Sequence, residues 1–228
     1  MIPTEHLESA YNYLKQFITE ERVLKIEEQS LRSSNFILPV MEDVYQFRNA
    51  AAIVRSAEAC GFHKILAMEK INVFNPNLDL TKGAENWVEI EKVPAKLDSI
   101  KEIKSKGYKI VAVSPEKNAT MLPDYKLTDQ PIALTFGTEF EGVTEEILDF
   151  ADETLAIPMY GFTQSFNVSV AAAICLYDLK QKLIQNNIPH LLSEEKRNEL
   201  RLRWAINSAK SGQNIFDKYC RDHQIEIF

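Results

Sequence analysis

Three groups of residues in this chain have the types and spacing to do chemistry. Asn49 and Arg55 stand six residues apart, Glu139 lies between Gly137 and Gly142, and Thr163, Gln164, Ser165 and Asn167 crowd one turn. Each has a plain structural reading. Asn49, Ser165 and Asn167 suit helix N-caps. An Arg on an apolar helix commonly snorkels to water, and a Glu after a strand is often a charge at a helix N-terminus. The turn is the harder case, because it joins an apolar run, Leu155-Ala156-Ile157, to a helix that is apolar on almost every side. Polar groups held between two buried elements need partners, and a ligand can supply them.

Groups like these must be carried by elements that end beside them. The chain starts with an amphipathic helix over residues 4–18, N-capped by Thr4, and a charged surface segment over 19–34. Phe36–Val40 reads as the first buried strand. A helix follows over Ala50–Cys60, N-capped by Asn49 and ended by Gly61 in the C′ position. Lys64–Met68 completes a β-α-β unit. Residues 69–85, with Asn72, Asn75, Pro76, Asn77 and Gly83, are too polar for a core element. Trp87–Ile90 alternates like an edge strand. Ala95–Lys106 is a helix, and Lys109–Val113 and Ile132–Gly137 are buried strands. The second of these runs straight into Glu139 and a short helix, Glu145–Phe150. Ligands of open α/β sheets gather at such carboxyl ends. Pro158 stops the strand at Leu155–Ile157, and Gly161 is free to take positive φ. The helix from Asn167 is expected to be buried all round. Gln185–Pro189 breaks it, Ser193–Asn207 forms another helix with Ser193 as N-cap, and a tail with Ile215, Phe216, Tyr219 and Ile225 docks in part.

The same polar groups, in this order, make three motifs. Ile157-Pro158-Met159-Tyr160-Gly161, then Ser165-Phe166-Asn167-Val168-Ser169-Val170-Ala171, resembles the third signature motif of the SpoU/TrmH family of RNA ribose 2'-O-methyltransferases, within the SPOUT superfamily. Phe166 replaces the usual Leu. Asn49, Ala52 and Arg55 before a Gly-ended helix resemble the first motif; Gly137, Glu139 and Gly142 resemble the second. The first motif departs from the family where Gln46-Phe47-Arg48 replaces a stretch that tends to carry Pro. The resemblance covers roughly residues 36 to 185.

What this resemblance implies is specific. The fold would be α/β, a Rossmann-like SPOUT domain with a trefoil knot and a mostly parallel sheet. It would span 36–185, between helical extensions at 1–35 and 186–228. S-adenosylmethionine would be held by main chain around Phe136, Gly137 and Glu139, around Ile157, Met159 and Gly161, and around Ser165, Phe166 and Val168. Two protomers would pair as a homodimer. Arg55 would clamp a substrate phosphate and stabilise developing alkoxide, Asn49 would orient Arg55 and the ribose, and Glu139, Ser165 and Asn167 would order the site. The acceptor would be a 2'-hydroxyl, and helical extensions resemble the tRNA-directed members, so a D-loop guanosine of tRNA is expected. The alternatives are ribosomal RNA, the tRNA wobble position, or a non-catalytic knotted RNA-binding dimer.

Composition narrows the field further. Within 228 residues, 45% hydrophobic and 26% charged, no stretch approaches a membrane span, and the first residues lack the regions of a signal peptide. Three widely separated cysteines read as reduced thiols, which fits a cytoplasmic protein. Four scattered histidines without Cys/His pairing give no metal signal. The chain has no GxG and no GxxxxGK[ST], which argues against a dinucleotide loop, an ordinary Rossmann methyltransferase loop and a phosphate loop. Net charge is −7, so RNA affinity must come from clustered cations. The expected cluster is Lys180, Lys182, Arg197, Arg201 and Arg203, with Arg55 at the reacting centre; Arg22, Lys25 and Arg32 are the alternative.

Overall fold

The computed structural model describes residues 2–73, 78–116 and 118–226. The elements in chain order are α1 (Thr4–Leu14), α2 (Glu20–Ser30), β1 (Ile37–Glu42), α3 (Phe47–Ala59), β2 (Lys64–Glu69), the single turn α4 (Leu78–Thr81), β3 (Glu89–Pro94), α5 (Leu97–Ser105) and β4 (Lys109–Val113). After these come β5 (Thr120–Met121), β6 (Ile132–Phe136), α6 (Glu145–Phe150), β7 (Glu153–Ala156), α7 (Val168–Gln185), α8 (Glu194–Ser208) and α9 (Gly212–Asp222). They fall into two compact units, one of Ser34–His190 and one built jointly from Met1–Ser33 and Leu191–Phe228.

The larger unit is a three-layer α/β structure. Its sheet runs β3-β2-β1-β6-β4-β7-β5 and every pairing is parallel. Strand side chains alternate between two cores, as a period of two requires. Ile37, Met41, Ile65, Ala67, Val111, Leu134 and Leu155 face Ile53 and Val54 of α3 and Ala172, Leu176 and Leu179 of α7. Leu38, Val40, Leu66, Met68, Ile110, Ala112 and Ala133 face Ile100 and Ile103 of α5 and Ile147 of α6. Pro39 is tolerated in the interior strand β1 because pairing with β2 begins only at Val40.

Several elements differ from expectation. Strand β3 lies later than Trp87–Ile90, at Glu89–Pro94, where Lys64 on β2 pairs with Glu89 (3.1 Å) and Glu91 (2.8 Å). Asn75, Pro76 and Asn77 lie outside the described residues. Gly61 does end α3, with φ 79°, its N–H on the Glu58 carbonyl and the Phe62 N–H on the Ala57 carbonyl. Asn49, however, is inside α3 rather than at its N-cap, which is Gln46. Helix α7 buries only one face, through Ala172, Cys175, Leu176, Leu179 and Leu183, while Val170, Tyr177 and Ile184 are exposed at seven-residue spacing on another. Gly161 does not use positive φ.

The smaller unit is all helix. Residues 19–34, read as a charged surface segment, contain α2, which Thr19 N-caps by accepting the Arg22 N–H and which buries Ile26 and Ser30. Helices α1, α8 and α9 supply Leu7, Ala10, Tyr11, Leu14, Leu200, Trp204, Phe216 and Tyr219 to its core.

Candidate active site

Strands β1 and β6 are neighbours whose outgoing connections diverge: β1 leads through α3 to β2 on one side, β6 through α6 to β7 on the other. Open parallel sheets bind ligands at such a switch point, outside the strand carboxyl ends. Both loops there are tightly determined. After β1, buried Asp43 takes φ 48° and its Oδ1 accepts the N–H groups of Lys70 (3.0 Å), Ile71 (2.9 Å) and Asn72 (2.8 Å). Burial would push this carboxyl up, but those donors outweigh it and hold its pKa below the ordinary value. After β6, Thr138 and Gly142 exchange backbone hydrogen bonds of 2.9 and 3.0 Å in a hairpin. A Cβ on Gly137 would lie 2.0 Å from the Gly142 carbonyl, and Gly142 itself takes φ 73°. The two glycines of the Gly-x-Glu-x-x-Gly stretch therefore have separate reasons, close approach for one and left-handed backbone for the other.

The residue between them joins the two loops. Glu139 Oε2 accepts the Tyr45 N–H (3.0 Å), and its Oε1 accepts the Gln46 N–H (2.9 Å) and the Asn49 Nδ2 amide (2.7 Å). Burial acts to raise the Glu139 pKa, but the Asn49 amide and the backbone donors outweigh it, so the carboxylate form is favoured. With its Nδ2 committed to Glu139, Asn49 presents Oδ1 to Asn167 Nδ2 at 3.1 Å and to Ser169 Oγ at 3.5 Å. Asn167 Oδ1 in turn accepts the Ser169 N–H (2.9 Å) and hydroxyl (2.7 Å). Asn167 thus caps α7 and belongs to the polar chain at once. This chain, Glu139–Asn49–Asn167–Ser169, ties the ends of β1 and β6 to the start of α7. Beneath it, buried Glu42 accepts the Thr144 hydroxyl (2.7 Å) and N–H (3.1 Å), and burial pushes its carboxyl up.

The remaining site residues stand open. Arg55 and Ser165 are exposed, and among the described residues neither side chain has a hydrogen bond or ion pair. Phe136 and Gly137 are buried, Ile157, Met159 and Val168 half-buried, and Gly161 and Phe166 exposed. Residues 158–166 make no hydrogen bond with any other described residue, which leaves their main-chain polar groups available. Half-buried apolar residues beside free backbone donors and acceptors fit the adenosine part of a nucleoside cofactor, which needs both.

The expected cations divide. Lys182 pairs with Asp178 at 2.9 Å and donates to the carbonyls of Leu122 and Pro123. Arg201 pairs with Glu27 at 2.6 Å and lies over the Tyr11 ring. Lys180 sits over the Phe62 ring, where burial lowers its pKa. Arg197 and Arg203 are half-buried. Sequence reasoning passed over Arg48, which is exposed seven residues before Arg55 on α3 and so on the same helix face. It also passed over Ser169 as a member of the polar chain, although the residue sits inside the third motif.

Comparison with known proteins agrees with this geometry. Residues 37–177 match the SpoU rRNA Methylase family. The tRNA (guanosine(18)-2'-O)-methyltransferase of Borreliella burgdorferi is 37% identical over 202 residues, 89% of this chain and 92% of that protein. The protein of the same name from Aquifex aeolicus is 31% identical over 84% of this chain and 92% of its own. The solved structure of the A. aeolicus TrmH/SpoU tRNA modifying enzyme superposes with a TM-score of 0.74 at 31% identity, covering 82% of this chain and 95% of that one. With over half its length inside the family match and the motif residues assembled at one end of the sheet, this chain belongs to the SpoU methylase family.

Proposed function

We propose that the chain transfers the methyl group of S-adenosylmethionine to a ribose 2'-hydroxyl of RNA, at a D-loop guanosine of tRNA. The observation that carries this reading is the Glu139–Asn49–Asn167 chain at the switch point of the sheet, beside the unpaired main chain of 158–166. The two relatives named above, both tRNA (guanosine(18)-2'-O)-methyltransferases, support the choice of substrate.

When bound, S-adenosylmethionine supplies an electrophilic methyl group. The residues of the chain have to hold the acceptor oxygen in line with it, a positioning effect that can reach about 7–11 kcal/mol. The Arg55 side chain is exposed and has no partner among the described residues, so its guanidinium can grip the phosphate next to the reacting ribose and stabilise negative charge on O2'. A guanidinium offers five N–H donors and no acceptor, which makes it a clamp rather than a base. Asn49 and Asn167 use both amide ends on each other and on Glu139, so they fix the site's shape. Ser165 is free to contact the ligand.

We further infer a homodimer. Val170, Tyr177 and Ile184 are exposed on one face of α7, as is Phe166 just before it, and a second copy would cover them. The terminal helices would serve as extensions to a methyltransferase domain that carries the trefoil knot, and the protein would work in the cytoplasm without a metal. The test is incubation with labelled S-adenosylmethionine and total tRNA, followed by mapping of the modified ribose. Label at a D-loop 2'-oxygen is the expected outcome. Label only on ribosomal RNA or at the wobble position would overturn the substrate, and no transfer to any RNA would overturn the activity.

A further inference from the structure

Two large aromatic side chains stand in the open beside the polar chain, and nothing in the mechanism uses them. Tyr45 is 62% and Phe140 83% exposed. Their rings meet edge to face, with centroids 6.3 Å apart and planes at 67°. The backbone under each is held: the Tyr45 N–H donates to the Glu139 carboxylate, and Phe140, the residue after Glu139, lies in the hairpin closed by Thr138 and Gly142. Exposed aromatic groups on rigid main chain lose little further entropy when a partner covers them.

The surroundings narrow the partner. Val44 beside Tyr45 is buried, and the other immediate neighbours of the two rings in sequence are polar: Gln46, Glu139 and Glu141. An aromatic pair in a polar setting has the composition of a stacking site rather than of the apolar centre of a chain–chain interface. Charge points the same way. The chain carries −7 overall, and Lys182 and Arg201 are committed to Asp178 and Glu27. Affinity for RNA that phosphate contacts do not supply can come from stacking, which every base offers.

We propose that Tyr45 and Phe140 form a stacking platform for an unpaired nucleobase of the RNA substrate and so set where the strand lies as its ribose enters the site. The proposal rests on the RNA methyltransferase reading above. Arg48, three residues after Tyr45, is placed to meet a phosphate of the same strand.

The test compares Tyr45→Ala/Phe140→Ala with the full wild-type chain for tRNA binding, S-adenosylmethionine binding, steady-state methylation and oligomeric mass. The double variant is expected to weaken tRNA binding and raise its KM about 5- to 150-fold, the range for losing one stacked base. Cofactor affinity and oligomeric mass should not move. Phe140→Trp should keep wild-type affinity and show indole quenching as tRNA is added; Phe140→Leu should lose affinity like the Ala variant. Neither ring is buried, so the single variants fold and report even if the double variant does not. Equal performance of Leu and Trp, or unchanged tRNA affinity in an otherwise active double variant, overturns the platform alone. A change in oligomeric mass or in cofactor affinity assigns the pair to the partner chain or the cofactor and also overturns it. A wild-type chain that neither binds nor methylates RNA overturns the functional reading, and the platform with it.

Discussion

Replacing Glu139 by Gln keeps the size of the side chain and removes one of its two acceptor oxygens. The wild-type carboxylate takes hydrogen bonds of 3.0, 2.9 and 2.7 Å from Tyr45, Gln46 and Asn49. Bonds to a charged group contribute about 1.5–3 kcal/mol each when buried, and a half-exposed site recovers part of that from water. The amide of Gln would also turn an N–H donor toward a backbone N–H or the Asn49 amide. A loss of about 1–3 kcal/mol follows, or roughly 2–12 °C in Tm at about 2–4 °C per kcal/mol for a chain of this size. Glu139→Ala should cost more, since no acceptor remains. Hydrogen exchange localises the effect: the Tyr45 and Gln46 amides should lose protection while β4 amides keep theirs. Acid should erase the difference. The folded pKa of Glu139 lies below its ordinary value, so its contribution is complete above the ordinary glutamate range and disappears as pH falls through the folded value. Wild type and Glu139→Gln should therefore differ by a constant Tm from neutral pH upward and converge in acid. If Glu139→Gln melts with wild type at neutral pH and its loop amides stay protected, the carboxylate is not the staple described here.

Arg55→Ala should abolish methyl transfer while Tm and S-adenosylmethionine affinity stay near wild type, because the side chain is exposed and without an internal partner; Arg55→Lys should also be poor, since an ammonium lacks the planar fork. Gly137→Ala should cost about 3 kcal/mol or more by denaturant titration, since its Cβ would lie 2.0 Å from the Gly142 carbonyl. Arg201→Gln should lower Tm by about 2–8 °C through loss of the Glu27 pair and the Tyr11 contact, with little change in the salt dependence of RNA binding. Arg48→Gln with Arg55→Gln should do the reverse, reducing that slope by roughly 1.4–1.8 with Tm unmoved.

The positions of the polar groups were legible because motifs are local, and so were most strands, whose apolar runs have no other use. What each polar group bonds was not legible. Asn49 read as an N-cap from its neighbours, yet partners 90 residues away, at Glu139, and 118 away, at Asn167, claim its amide. Glu139 read plainly as a charge for the short helix after it and, through the family motif, as a residue that orders the site; which loop it holds, the one after β1, was not legible. The same blindness affected the cations: Arg201 was expected in the RNA-binding cluster, and its partner, Glu27, lies far off in sequence on α2. Helix α2 was missed because its apolar residues are few, with Ile26 its one buried apolar side chain; α9 was legible only as a docking tail, although Phe216, Tyr219 and Cys220 fall at helical spacing. The exposed face of α7 was hidden by the reverse error, since an all-round apolar helix was equated with burial inside one chain.

The helical unit takes one part from residues before Ser34 and the other from residues after His190. On the ribosome these parts are separated in time. At about 5–20 residues per second, the roughly 160 residues between them occupy some 8–30 s of synthesis. Through that interval Leu7, Ala10, Leu14 and Ile26 have no α8 or α9 to cover them, while the parallel sheet is being completed strand by strand. Helices α1 and α2 thus leave the ribosome long before they can be buried, and for those seconds their apolar faces are open to chaperones and proteases.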